Sequence, residues 1–158
     1  MGDEPSMGMA VGPGEGEQIR NPVGGDLNFI VRAEQTKGAL LALETVAPPG
    51  EGPPLHTHTR EEETIYVVAG DFRWKLGDEL SAAAPGSFAF IPRGVAHTWQ
   101  NLGDQPGRLL VTFAPAGMEG FFERLSSLTE FDLEEFRAAA AEHGTEVVGP
   151  PLAQSDPL

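Results

Sequence analysis

Gly50-Glu51-Gly52-Pro53-Pro54-Leu55-His56-Thr57-His58-Thr59-Arg60-Glu61-Glu62-Glu63-Thr64-Ile65-Tyr66-Val67-Val68-Ala69-Gly70 is the stretch on which the fold of this chain turns. His56 and His58 are alternate residues, so a strand carries both imidazoles out of one face. Glu63 follows His58 closely enough for a short turn and the start of a returning strand. Alternation then puts Glu63, Ile65 and Val67 on one side, a carboxylate among core-facing apolar residues. A second stretch, from Gly86 through Pro92, Gly94 and His97 to Asn101, adds a third histidine from a separate strand. Three imidazoles and one carboxylate converging inside a small barrel suit a borderline divalent metal.

The two stretches resemble the paired signature of the cupin superfamily, G-x5-H-x-H-x4-E-x6-G followed by G-x5-P-x-G-x2-H-x3-N, with every fixed position filled. The 15 residues between Gly70 and Gly86 are similar to the short spacing of small microbial cupins. Pro53-Pro54-Leu55-His56, and Pro115-Ala116-Gly117 leading to Phe121-Phe122, resemble single-domain quercetin 2,3-dioxygenase-like cupins. The resemblance covers roughly residues 25–150. It implies an all-β fold, a double-stranded β-helix or jelly-roll barrel with C-terminal helices. It also implies one divalent transition metal per chain (Fe, Ni, Mn, Co, Cu or Zn), bound by His56, His58, Glu63 and His97. Glu62 fits a looser form of the motif, but only Glu63 stands at the motif's distance from Gly70 and shares a face with the core. Glu61 and Glu62 are then expected at the rim or in solvent. In quercetin-dioxygenase-like enzymes the metal-bound glutamate also takes the substrate hydroxyl proton, a catalytic role that Glu63 would inherit.

The 158 residues carry 24 acidic against 10 basic side chains, a formal net charge of −14. That field repels nucleic-acid phosphates and anionic membranes, so neither is an expected partner. With no cysteine, disulfides and thiolate chemistry are excluded, in keeping with a cytoplasmic chain. No apolar run reaches the length of a membrane span. The acidic start is not a secretory signal, and Met1-Gly2 with Ser6 meets the myristoylation template only formally.

Residues 1–24, rich in Gly, Pro and acid, read as a flexible N-terminal arm. Strand-like runs follow at residues 27–32, 40–46, 63–68, 72–76, 87–91, 97–101 and 109–113, with a short strand at His56 and His58. Turn residues punctuate them, among them Pro48-Pro49-Gly50, Ala69-Gly70-Asp71 and Pro85-Gly86. Many short strands separated by such turns predict the jelly roll over residues 25–116. Residues 117–158 read as a helical extension packed on the outside of the barrel. Phe121, Phe122, Leu125 and Leu128 recur at helical spacing. Asp132 with Glu135 resembles a capping box opening a second helix, whose stripe is Leu133, Phe136 and Ala140 and whose stop is Gly144. His143, in its last turn, reads as structural.

A metal held by four side chains keeps about two positions open for a substrate chelating through two oxygens. Near the motifs Phe72, Trp74 and Trp99 are the nominated substrate-pocket residues, with Tyr66 pointing away by parity. The leading expectation is a metal-dependent dioxygenase acting on a small flavonol-, catechol- or enediol-like molecule. Isomerase, cyclase or lyase chemistry on the same site, or small-molecule binding without turnover, are the alternatives. A homodimer is expected, because exposed sheet edges need cover and the arm is available to provide it.

Overall fold

The computed structural model describes residues 7–22 and 25–158. Met1, Gly2 and Ser6 of the formal myristoylation template lie outside the described residues. Among the described residues there are eleven strands: β1 (Glu17–Ile19), β2 (Leu27–Val31), β3 (Leu41–Ala47), β4 (Leu55–His58), β5 (Glu62–Ala69), β6 (Phe72–Leu76), β7 (Glu79–Ala83), β8 (Phe88–Ile91), β9 (His97–Asn101), β10 (Gly107–Ala114) and β11 (Thr145–Gly149). Helices α1 (Ala33–Thr36), α2 (Glu119–Ser126), α3 (Leu133–Glu142) and α4 (Leu152–Ser155) complete the chain.

One six-stranded sheet runs β1-β2-β3-β10-β5-β8 and a five-stranded sheet runs β11-β4-β9-β6-β7. All pairings are antiparallel. The two sheets form the jelly roll. Alternation sets the inner face: Leu41, Leu43 and Ala47 of β3, Ile65 and Val67 of β5, and Leu109, Val111 and Phe113 of β10 are all buried in one core. On the outer face of the six-stranded sheet Tyr66, Phe88 and Phe90 are exposed, with Tyr66 directly opposite Phe88.

Three strands lie where the sequence showed none. β1 falls inside the stretch read as an arm and pairs with β2; three residues are too few to display a period. β7 is an edge strand rich in Ala, whose strand propensity is low. β11 returns from the C-terminal third to pair with β4, aligning Thr145 with His58 and Val147 with His56.

The helices are not simply cladding on the barrel. Phe121 and Leu125 of α2, with Phe136, Ala139 and Ala140 of α3, join the same buried cluster as the strands. Asp132 caps α3 as expected, accepting from the amides of Glu134 and Glu135 at 2.9 and 3.2 Å. Glu135 turns instead to Arg124 of α2 at 3.1 Å, so the reciprocal half of the box becomes an interhelix ion pair. His143 ends α3, its Nδ1 donating to the Ala139 carbonyl at 2.9 Å. Arg73, on the outward face of β6, is nonetheless buried. It donates to Gln100 Oε1, to the Leu152 carbonyl and to the Asp156 carbonyl, and so ties α4 to the sheet. No helix among the described residues is long and apolar enough to cross a membrane.

Candidate metal centre

β4 delivers His56 and His58, β9 delivers His97 directly opposite His56, and Glu63 arrives from β5 in the facing sheet. The cluster therefore lies between the two layers. Ring centroids stand 4.4 Å apart for His56 and His97, 4.9 Å for His56 and His58, and 5.3 Å for His58 and His97. One donor atom from each of the four residues lies within 4.8 Å of all the others.

The motif residues that are not themselves donors hold this geometry. The Gly94 amide donates to the His58 carbonyl at 2.8 Å, fastening one histidine segment to the other. Asn101 is fully buried, and its Nδ2 donates to the Ala47 and Gln105 carbonyls at 2.9 Å each while Oδ1 accepts from the Gly103 amide at 2.8 Å. Its backbone carbonyl accepts from Gly50 at 2.9 Å. Gly70 turns β5 into β6 at φ 97°, and a Cβ there would sit 2.9 Å from Gly107 Cα. Only glycine meets both demands.

Hydrogen bonding gives the rings different protonation states. Backbone carbonyls only accept, so His56 Nδ1 donates to Pro54 O at 2.7 Å and His97 Nδ1 donates to Val95 O at 2.9 Å. His97 Nε2 also donates, to Glu63 Oε2 at 2.6 Å, so without metal this ring is an imidazolium. Burial opposes that charge, but the Glu63 carboxylate outweighs it and raises the His97 pKa. Burial likewise opposes the ionised form of Glu63, yet the His97 imidazolium outweighs it and holds the carboxyl well below the usual range. His56 goes the other way: burial, then the neighbouring His97 and His58, lower its pKa to about 3. His58 Nε2 lies 3.0 Å from Glu63 Oε2 but makes no hydrogen bond and is a buried, unpartnered nitrogen.

A buried ring nitrogen without a partner, beside a carboxylate held ionised and two more imidazoles, is a donor set that a divalent cation would satisfy. The four residues could hold such an ion.

A cavity of about 90 Å3 opens on the cluster, lined by His56, His58 and Glu63 at one end. Trp99, Phe113, Met118, Phe121, Phe122 and Phe136 surround the rest. This is smaller than the roughly 300–1,000 Å3 of typical ligand pockets. A cavity of this size holds a small group beside the cluster. Of the three aromatic residues nominated from sequence, Trp99 lines the cavity. Phe72 and Trp74 do not: Phe72 packs edge-on against Trp99 at 5.8 Å, and Trp74 Nε1 donates to Ser81 at 3.1 Å, both inside the core. Strand parity places a side chain inside a barrel without saying at which depth. Glu61 corrects another expectation, being 3% exposed instead of solvated; the loop at Gly117 closes over it, 3.8 Å from Glu61 Oε1 to a Cβ built there. Glu62 does stay at the rim, paired with Arg93 at 3.2 Å.

Sequence reasoning missed Thr145 and Met118 entirely. It saw Phe121, Phe122 and Phe136 only as helix stripes, because their reach into the site depends on how α2 and α3 dock.

A family model described as the cupin domain matches residues 43–113, the segment that carries all four clustered residues. The chain belongs to the cupin superfamily. Among curated proteins this cupin is 35% identical over 94 residues to protein SchB of Streptomyces halstedii, covering 58% of this chain and 67% of SchB. It is 28% identical over 114 residues to quercetin 2,3-dioxygenase of Bacillus subtilis, covering 71% of this chain and 33% of that enzyme. It is 31% identical over 94 residues to polyketide synthase CurC of Streptomyces cyaneus, covering 58% of this chain and 60% of CurC. The cupin thus spans about a third of the dioxygenase and less than two thirds of CurC.

Proposed function

We propose that this cupin is a metal-dependent dioxygenase acting on a small, oxygen-chelating molecule of flavonol, catechol or enediol type. His56, His58, Glu63 and His97 are the metal-binding residues, one ion per chain. The observation that carries the reading is the junction of a His3Glu cluster with an aromatic-lined cavity on its open side. A bound divalent metal would supply Lewis-acid activation of the chelating oxygens and, for a redox-active ion, a route for electrons to dioxygen.

The side chains do the rest. Phe113, Phe121, Phe122 and Trp99 offer flat apolar faces to a planar substrate and exclude water from the reacting end. Glu63 lines the cavity and accepts the substrate's hydroxyl proton. Its carboxyl is held ionised by His97, so it takes a proton only from an O–H that a bound metal has already made acidic.

Isomerase, cyclase or lyase chemistry on the same site is the second reading. CurC is described as a polyketide synthase, which favours a polyketide substrate for it, and it would use the same chelation and the same Glu63 proton acceptance without oxygen. An oxygen electrode separates the two, with protein loaded in turn with iron, nickel, manganese, cobalt and copper. Oxygen uptake with a flavonol, catechol or enediol, abolished in His58→Ala, supports the dioxygenase. Conversion of the same compounds without oxygen moves the assignment to an isomerase, cyclase or lyase, and tight binding without conversion leaves a binding protein.

A homodimer belongs to the same proposal. The outer edge of β8 ends its sheet and carries exposed Phe88 and Phe90 beside Tyr66, a surface that a second copy would cover. Light scattering at the mass of one chain would reject it.

A further inference from the structure

An imidazole offers Nε2 to a cation only when its hydrogen sits on Nδ1, and the partner of Nδ1 decides that. For His56 and His97 the partner is local, the carbonyl two residues upstream in each case. His58 has no such carbonyl. Its Nδ1 lies 2.9 Å from Thr145 Oγ1, a group 87 residues further along the chain that β11 brings into register with it.

A hydroxyl gives or takes a hydrogen bond, so this contact alone leaves the tautomer open. The second contact of the hydroxyl closes it. Thr145 Oγ1 lies 3.7 Å from Met118 Sδ at the start of α2, and a thioether can only accept. The hydroxyl hydrogen therefore points to sulfur, and its oxygen accepts from His58 Nδ1. His58, Thr145 and Met118 are 4%, 4% and 1% exposed, so water does not replace any member of the chain. His58 Nε2 is then the unprotonated nitrogen and faces the cluster, 3.0 Å from Glu63 Oε2 and without a hydrogen-bond partner, a position for a cation to occupy. Beside it, the Thr59 amide and hydroxyl both donate to the Gly144 carbonyl, at 2.9 and 2.8 Å, and clamp the start of β11 to the end of β4.

We propose that Thr145 is a positioning residue of the metal centre, setting the tautomer and ring plane of His58, so that the C-terminal strand is a working part of the site. The proposal rests on the reading of the cluster as a metal centre. It makes metal affinity depend on a side chain that touches no metal.

Thr145→Val keeps the shape and removes the acceptor, whereas Thr145→Ser keeps the hydroxyl. Two readouts apply: competition of each protein with a chromophoric chelator for zinc or cobalt, and nitrogen–proton correlation spectra of the histidine rings in metal-free protein. The expected result is affinity about 10–100-fold weaker in Thr145→Val and within about 3-fold of wild type in Thr145→Ser. In wild type the His58 ring should show hydrogen on Nδ1, and Thr145→Val should lose that signature with unchanged circular dichroism. Wild-type affinity in a folded Thr145→Val overturns the proposal. So does a wild-type His58 with its hydrogen on Nε2, which decides the matter even if the valine variant does not fold. Wild-type protein that takes up no metal sinks the metal reading itself and this proposal with it, while the ring spectrum still reports whether Thr145 sets the tautomer.

Discussion

Glu63→Gln in metal-free protein should lower stability, and by an amount that depends on pH. The carboxylate and His97 are 5% and 1% exposed, 2.6 Å apart, so water screens them little. Stranding a buried charge costs about 3–5 kcal/mol. His97 avoids most of that by releasing its proton once the carboxylate is gone, because burial disfavours the cation. What remains is one charge-assisted hydrogen bond, about 1.5–3 kcal/mol. For a chain of this length that is roughly 3–12 °C in Tm.

The sign with pH follows from both partners. The folded pKa of His97 is raised, so its contribution is complete below the unfolded value of about 6.5 and is lost as pH rises through the folded value. The folded pKa of Glu63 is lowered, so its contribution is present above about 4.5 and is lost as pH falls through the folded value. The wild-type advantage over Glu63→Gln should therefore be greatest between about pH 4.5 and 6.5 and shrink on the alkaline side. Urea unfolding with excess chelator, from pH 5 to 9, measures it. An advantage independent of pH, or none at pH 6, would refute the picture of an ionised Glu63–His97 pair.

His56 is held neutral down to about pH 3, so metal-free stability should fall as pH drops from about 6.5 towards 3, by roughly 2 kcal/mol at pH 5 from this ring. His56→Gln should accordingly move the acid-unfolding midpoint to lower pH, as followed by tryptophan fluorescence. Phe136→Ala should cost about 3–5 kcal/mol, since this α3 residue is 6% exposed within the common core; calorimetry giving less than about 1 kcal/mol would mean that α3 is only appended to the barrel. Elemental analysis should find metal retained in Glu62→Gln and lost in Glu63→Gln, His58→Ala and His97→Ala, because Glu62 points to Arg93 and not to the cluster.

The cluster was legible from sequence because its four residues fill the paired motif that resembles the cupin signature, with strand alternation agreeing. His-x-His on a strand has one geometric outcome, and Glu63 was separable from Glu62 by its phase with Ile65, Val67 and Gly70. The turns were legible for the same kind of reason, and they delimit most of the strands that carry the site. What the tertiary structure alone decided is everything that reaches the cluster from far along the chain. No local pattern says that Thr145 lies against His58, or that Phe121, Phe122 and Phe136 enclose the cavity that Phe72 and Trp74 were nominated to line. Those contacts exist because β11 pairs with β4 and thereby draws α2 and α3 across the barrel, burying an apolar surface that either helix would otherwise expose. Periodicity reports which way a side chain leaves its own element; only packing decides what it meets.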